Sequence, residues 1–427
     1  MGTEPALCEP FLIHRHDRVF ESCCPFCGLV CDDVRVEVEA SGVRVERPDC
    51  ARARSLFAVP ATGQSRIGGQ PVEAIAALRA AAALLAQARR PLIGGLACDV
   101  AGQRAALDLA ERVGGVVEHM NGAAQFRNWL AFQDSGWMTT TLSEVRNRAD
   151  LIVFAGTDAS RFPRFFERCI DAGSQFGPLE RTVITLGATP AGGRGTAHAI
   201  EPVDLAALFA DLRIRLAGGT GAPNGIGGVP AATLDALLAS MKAARYGVLV
   251  WNAAELDFPH ADLTVQAMVE LVRDLNRETR WAGLPLGGSD GDTSASQVCT
   301  WRTGYPLRVG FEPAGPRYEP LLFEASRLLA AGEADTLLWV SVFDPARTPP
   351  ETACPRIVLG RPDMRLDAMG PQDVFIPVAV PGVHHAGILH RMDGVVSLPL
   401  QGPSPSALFS AAQALAAIQR EMTHAAA

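Results

Sequence analysis

Three cysteines, Cys24, Cys27 and Cys31, fall within the stretch CPFCGLVC, and Cys50 follows after a segment that can turn the chain back toward them. Thiolates at such spacings suit iron–sulfur clusters, because each iron takes tetrahedral sulfur coordination and a short loop can wrap several irons. The four cysteines therefore form a candidate [4Fe–4S] site. Structural zinc also accepts four cysteines, more commonly as two separate C-x2-C pairs, and stands as the alternative beside a motif that holds no metal. Cys23 is a spare that replaces Cys24 if the loop wraps differently, and Gly28 is expected to ease the wrap by relaxing backbone limits. Cys8, Cys98, Cys169, Cys299 and Cys354 are isolated, and core or tail positions are expected for them.

Other reactive side chains read more plainly. His384, His385 and His390 lie close together, but few acids accompany them and adjacent histidines point apart in a strand, so loop or interface positions are expected. His119 reads as core or surface, with a pocket wall as the alternative. Lys242 is the only lysine beside 37 arginines, so any lysine-nucleophile chemistry would rest on it; it reads as a solvated helix end.

The elements that must position these residues are ordinary globular ones. The chain of 427 residues is 48% hydrophobic and 20% charged, enough to bury a large core in two or three domains. A net charge of −8 and a pI near 5.6 leave no basic footprint for nucleic acid or an anionic membrane. No apolar run approaches the roughly 20 residues that span a bilayer, and the first twenty residues lack the pattern of a secretory signal. A cytoplasmic, reducing setting is expected, in which clustered cysteines are candidate metal ligands rather than disulfides.

Residues 34–40 alternate as a half-buried strand of a small sheet. Beyond Ser55, helices alternate with short apolar strands, which calls for mostly parallel sheets covered by helices. Val72–Arg90 and Ala101–Val113 have helical spacing; Pro91–Ala97, Leu151–Gly156, Thr182–Gly187, Tyr246–Trp251 and Thr336–Val342 read as buried strands. The stretch AGGTGAPNGIGGVP, Ala217–Pro230, reads as a linker at a domain boundary, with a structured loop inside one domain as the alternative. Ser404–Ala427 reads as an amphipathic helix packed on a neighbouring domain or subunit.

CPFCGLVCDD with its fourth cysteine resembles the N-terminal cluster domain of molybdopterin oxidoreductases, most closely that of the B subunit of formylmethanofuran dehydrogenase. Later strings agree: Phe132–Trp137 (FQDSGW) with Leu142–Phe154, then Gln297–Pro306 (QVCTWRTGYP) and Arg391–Gly394 (RMDG). The resemblance spans almost the whole chain. It implies an α/β fold in which a cysteine-motif domain, 1–58, precedes Rossmann-like parallel-sheet domains at 59–222 and 223–427. C-terminal segments would return to the first of these, and the C-terminal barrel of other superfamily members would be absent.

In redox-active relatives a cysteine or selenocysteine binds the metal nine residues before the Gln-Asp pair, and that position here is Ala124. A methyl group donates no electron pair to molybdenum or tungsten. Leu186 stands where relatives carry an acid that holds the nucleotide part of the pterin, and the strand Arg356–Gly360 also ends without their Asp-Pro. Arg52 is the nearest cation where they carry a lysine beside the fourth cysteine. Loss of the molybdenum or tungsten pterin is therefore expected, with no catalytic or cofactor-binding residue assigned. Asp134, Arg302 and Asp393, in the best-matching strings, are expected to be structural.

The resemblance implies a non-redox B subunit of a formyltransferase/hydrolase complex in C1 metabolism. Its partners would be an amidohydrolase-like subunit, a formyltransferase subunit and a further family subunit. The alternatives are a catalytic formylmethanofuran dehydrogenase subunit with pterin-bound metal and [4Fe–4S], and a free-standing metal protein without partners.

Overall fold

The computed structural model describes residues 19–39, 42–187 and 189–426; Cys8 lies outside the described residues. Strands Val19–Ser22, Val34–Glu39 and Gly42–Arg47 form a three-stranded antiparallel sheet, with Val34, Val36, Val43 and Val45 turned inward. Cys50 immediately precedes a short helix, Ala51–Phe57.

Two larger sheets follow. In the nine-stranded sheet, the central strands Val116–Val117, Pro91–Ala97, Thr336–Ser341, Arg356–Gly360 and Val374–Pro377 are parallel neighbours in that order. An antiparallel pair closes each edge, Val309–Glu312 with Gly315–Tyr318 at one side and Ser65–Ile67 with Gln70–Val72 at the other. The five-stranded sheet is wholly parallel, in the order Thr196–His198, Thr182–Leu186, Leu151–Ala155, Gly247–Asn252, Trp281–Leu286. Its central strands are apolar on both faces, as a sheet covered by helices requires.

The expected boundary after 222 falls inside this sheet. Leu151 is in register with Gly247, so segments on both sides of Ala217–Pro230 share one hydrogen-bonded layer and one core. The glycines and prolines do loosen the backbone there, but side chains tie it down: the Asp211 carboxylate accepts the Ala222 amide at 2.5 Å, and Arg215 donates to the Ala222 carbonyl at 3.0 Å. The five-stranded unit is thus inserted between two halves of the nine-stranded one.

The final helix is shorter than the sequence pattern indicates, Ala411–Ala426. Pro405 precedes it, and Ser410 caps it reciprocally with Gln413: the serine hydroxyl accepts the Gln413 amide, while the Gln413 side chain accepts the Ser410 amide. It packs on helices Ala74–Gln87 and Val100–Val113, so the C-terminal segment returns to the part of the chain that the sequence sets out as its first α/β domain. Among the described residues no helix is long and apolar enough to cross a membrane.

Candidate functional site: a cysteine cavity and an inter-sheet crevice

Cys24, Cys27, Cys31 and Cys50 line one small cavity, with Phe26, Leu29, Arg52 and Arg164 among its walls. The loop is closed by the Cys24 amide donating to the Cys31 carbonyl at 2.8 Å. The amides of Phe26 and Leu29 point at the sulfurs of Cys24 and Cys27, an arrangement that favours thiolate. Burial dominates in the metal-free protein, raising the Cys24 and Cys27 thiols and pushing Cys31 up to about 12. Cys23 does not line this cavity; burial, with Asp32 nearby, pushes it up to about 11.

Gly28 serves the loop differently from the expectation. Its φ is not in the left-handed region, whereas that of Val30 is, at 39°. A methyl on Gly28 would overlap the Gly287 carbonyl and lie 3.0 Å from the Gly288 Cα, so glycine is needed for a backbone-to-backbone approach. The Met392 amide donates to the Gly28 carbonyl at 2.9 Å and closes the same contact. On the other side of the loop, Asp33 takes a two-pronged bond from Arg164 at 2.6 and 2.7 Å, and Arg168 reaches Asp32 and Asp33 at 2.5 Å each. The Arg164 hydrogen bonds hold the Asp33 carboxyl below its usual range.

Arg52 also lines a second cavity, of about 300 Å³, where the two large sheets face each other. Parallel sheets bind ligands beyond the carboxyl ends of their strands, where strand order reverses. In the five-stranded sheet that reversal lies between Leu151–Ala155 and Gly247–Asn252, and the cavity is lined by Arg161 and Phe162 beyond the first and by Asn252, Ala253 and Ala254 at the end of the second. The nine-stranded sheet supplies Asn121 and Ala124 beyond Val116–Val117 and Arg347 beyond Thr336–Ser341. Ala124, in the first turn of helix Gly122–Ser135, presents a methyl to this space.

Two carboxylates that sequence reasoning missed, Asp290 and Asp292, stand in the same cavity, beyond strand Trp281–Leu286. Arg347 pairs with Asp290 at 3.3 Å and donates to the Asn121 side chain. The Asn121 amide group donates to Asp292 at 3.0 Å and to the Ser289 carbonyl at 3.1 Å. Burial raises both acids, Asp292 to about 7 against the Asn121 hydrogen bond, and Asp290 against Arg347 and Arg52.

Other residues singled out by sequence sit elsewhere. Leu186 is fully buried in the core of the five-stranded unit. Arg361, just after strand Arg356–Gly360, is buried at 1% exposure and donates to the carbonyls of Leu56, Phe343 and Ala58 and to Asp363. An arginine thus fills that strand end and ties it to the helix that follows Cys50. His119 is buried; its Nε2 faces the Asp290 carbonyl at 3.1 Å, its Nδ1 accepts the Asn121 amide at 3.0 Å, and burial lowers it to about 3. It lines a neighbouring cavity with Glu118 and Arg308 instead.

His384 is buried and lowered to about 4 by desolvation, and His390 lies edge-on to Trp301 at 5.4 Å. Among the described residues no three His, Cys, Asp or Glu side chains are grouped to hold a single metal ion. Lys242 is half-exposed and pairs with Glu278 at 3.4 Å. Asp134 is on the surface, Arg302 pairs with Asp108 and Glu111, and Asp393 accepts the Leu142 amide and Arg391. Cys98, Cys169 and Cys299 are core, and Cys354 is half-buried beside Thr352.

Fold and site together define a two-sheet α/β protein whose ligand crevice adjoins a four-cysteine loop. No family model matches the chain. It is 30% identical over 399 residues to the B subunit of the tungsten-containing formylmethanofuran dehydrogenase 2 of Methanocaldococcus jannaschii, covering 87% of this chain and 91% of that protein. It is 32% identical over 326 residues to the B subunit of the formyltransferase/hydrolase complex Fhc of Methylorubrum extorquens, covering 76% of this chain and 87% of that protein. Its structure matches a chain in the crystal structure of the Methylorubrum extorquens formyltransferase/hydrolase complex with methylofuran. The TM-score is 0.73 at 28% identity, over 85% of this chain and 99% of that one. The chain belongs to the family of formylmethanofuran dehydrogenase B subunits.

Proposed function

We propose that this chain is a non-redox B subunit of a formyltransferase/hydrolase complex, which moves a formyl group from a tetrahydromethanopterin carrier to a methanofuran-type carrier and hydrolyses it to formate. The chemistry would lie in an amidohydrolase-like and a formyltransferase subunit, with a further family subunit completing a cytoplasmic hetero-oligomer. The similarity to the Methylorubrum extorquens protein and to a chain of its complex supports this reading.

The observation that supports it is Ala124, which lines the inter-sheet cavity and stands where the resemblance puts the relatives' metal ligand. The two carboxylates in that cavity do not replace the ligand: Asp290 is engaged by Arg347, and Asp292 by Asn121. A metal-bearing pterin would find no sulfur here and, at the end of strand Arg356–Gly360, a buried arginine already engaged by three carbonyls. This chain would hold partners in place and contribute no reacting group.

The cysteine cavity does fit a cluster. Four soft donors line it, backbone amides face two of the sulfurs, and Arg52 and Arg164 supply positive charge beside what would be an anionic group. The C-x2-C-x3-C spacing of Cys24, Cys27 and Cys31 suits a cluster better than the two separate C-x2-C pairs common in structural zinc sites. Next to a crevice without redox metal, such a cluster would brace the loop.

The retained cysteines and the likeness to a tungsten-containing relative over 87% of the chain favour a second reading, a catalytic dehydrogenase subunit. Elemental analysis of the natively purified complex separates the two. Molybdenum and tungsten are expected to be absent, and one atom of either per chain overturns the non-redox assignment.

A further inference from the structure

A separate pocket, of about 420 Å³, is lined by helix Gly122–Ser135, by helix Asp292–Thr303 and by the end of strand Trp281–Leu286. Its volume is that of a small-molecule site, roughly 300–1,000 Å³. It adjoins the inter-sheet cavity along Asn128, Leu286, Gly287 and Asp292, but none of that cavity's arginines lines it.

Two sides of the pocket are aromatic. Trp129, Phe132 and Trp137 follow one another with ring centroids 5.8 and 5.6 Å apart and make one continuous surface. Trp301 comes from the other helix, meets His390 edge-on at 5.4 Å and is 63% exposed. A tryptophan left so open contributes little burial to the fold, and a ring seated against it would cover the remaining apolar face.

Gln125 supplies the polar end. Its side-chain nitrogen donates to the Asp292 carbonyl and to the Ser296 hydroxyl, each at 3.0 Å. Because that carbonyl can only accept, the amide orientation is fixed, and the Gln125 Oε1 is left buried without a hydrogen bond. A buried acceptor with no donor is costly, and a ligand N–H would satisfy it. Charge narrows the class further. No arginine, lysine or histidine is among the lining residues, and the two carboxylates there are engaged, Asp292 by the Asn121 side chain and Asp393 by Arg391 and the Leu142 amide. An ion of either sign would enter without a free partner.

We propose that this pocket binds a flat, uncharged aromatic molecule carrying an N–H donor, its ring held between the Trp129–Trp137 surface and Trp301 and its N–H directed to the Gln125 side-chain oxygen. The inference goes beyond the proposed role of the chain and stands whichever reading of that role holds, since it uses only the pocket's own walls.

The test is ligand-observed NMR titration of the full chain, with whatever subunits purify with it, at about pH 7. Indole, 1-methylindole and indole-3-carboxylate are the probes. Saturable indole binding is expected, about threefold or more tighter than that of 1-methylindole, which lacks the donor, and tighter than that of the carboxylate. Gln125→Met is expected to abolish the preference for indole over 1-methylindole, whereas an effect of the added methyl alone would persist in that variant. Trp301→Ala is expected to weaken indole about threefold or more; its exposure lets this variant fold even if Gln125→Met does not. Phe176→Ala, at an exposed ring away from the pocket, is expected to bind as the unaltered protein does. The proposal is overturned by an absence of saturable indole binding, by tighter binding of the carboxylate, by a preference for indole that survives Gln125→Met, or by indole affinity that Trp301→Ala leaves unchanged.

Discussion

Gly28 and Gly287 meet backbone to backbone, and through that contact the cysteine loop rests on the turn that carries Asp290 and Asp292 into the crevice. A Gly28 Cβ would lie 2.8 Å from the Gly287 carbonyl carbon, and neither partner has a flexible side chain that could yield. Gly28→Ala is therefore expected to destabilise the protein by about 1–3 kcal/mol or more, as overpacking does. Urea unfolding measures the loss. Cavity contacts would change with it, whereas Gly69→Ala, at a site with open space, reports only the cost of its left-handed backbone.

Arg361 offers a sharper test of how the strand end is filled. Its guanidinium satisfies the carbonyls of Leu56, Ala58 and Phe343 while almost fully buried. Arg361→Leu keeps much of the volume but leaves those carbonyls without a donor, at about 3 kcal/mol or more. A midpoint in denaturant within error of the unaltered protein would show that the helix after Cys50 is held by packing alone.

Much of this arrangement was legible in the sequence, and the exceptions have physical reasons. Apolar runs bounded by glycine located Pro91–Ala97, Leu151–Ala155, Thr182–Leu186 and Thr336–Ser341 to within a residue or so, because buried parallel strands leave no polar alternation to confuse. Trp281–Leu286 is hidden in the sequence because Pro285 and Gly283 interrupt it; the proline is tolerated there because the strand is at the sheet edge. With that strand unseen, nothing marks the two aspartates of GGSDGD as residues beyond a strand end. The glycine-rich Ala217–Pro230 misleads for the opposite reason, since its anchors Asp211 and Arg215 lie outside it.

The crevice should also shape stability as a function of pH. Unfolded, Asp292 would lose its proton near pH 4, but burial holds it to about 7 in the folded protein. Between those values the folded state binds more protons, so this residue lowers stability as pH rises from about 4 to about 7. His119 acts in reverse. Its unfolded pKa near 6.5 falls to about 3 on burial, so its contribution is lost as pH falls through that window. Asp292→Asn is expected to steepen the rise of stability between about pH 4.5 and 6.5 in urea titrations, and His119→Gln to flatten it; identical slopes in all three proteins would contradict the burial of these groups.

The cysteine loop makes the last discriminating case, because two adjacent thiols differ only in where they point. Cys24 lines the cavity with Cys27, Cys31 and Cys50, while Cys23 stays outside it near Asp32 and Arg168. A [4Fe–4S] cluster takes one sulfur from each of four cysteines, so Cys50→Ser or Cys24→Ser should lose most of the iron and lower stability by uncoupling metal binding from folding. Cys23→Ser should keep about four iron atoms per chain and the broad visible absorbance of the cluster. Loss of iron in Cys23→Ser together with retention in Cys24→Ser would mean that the loop wraps the other way. Zinc at about one atom per chain, in place of iron, would instead require the four thiols to close around a single ion.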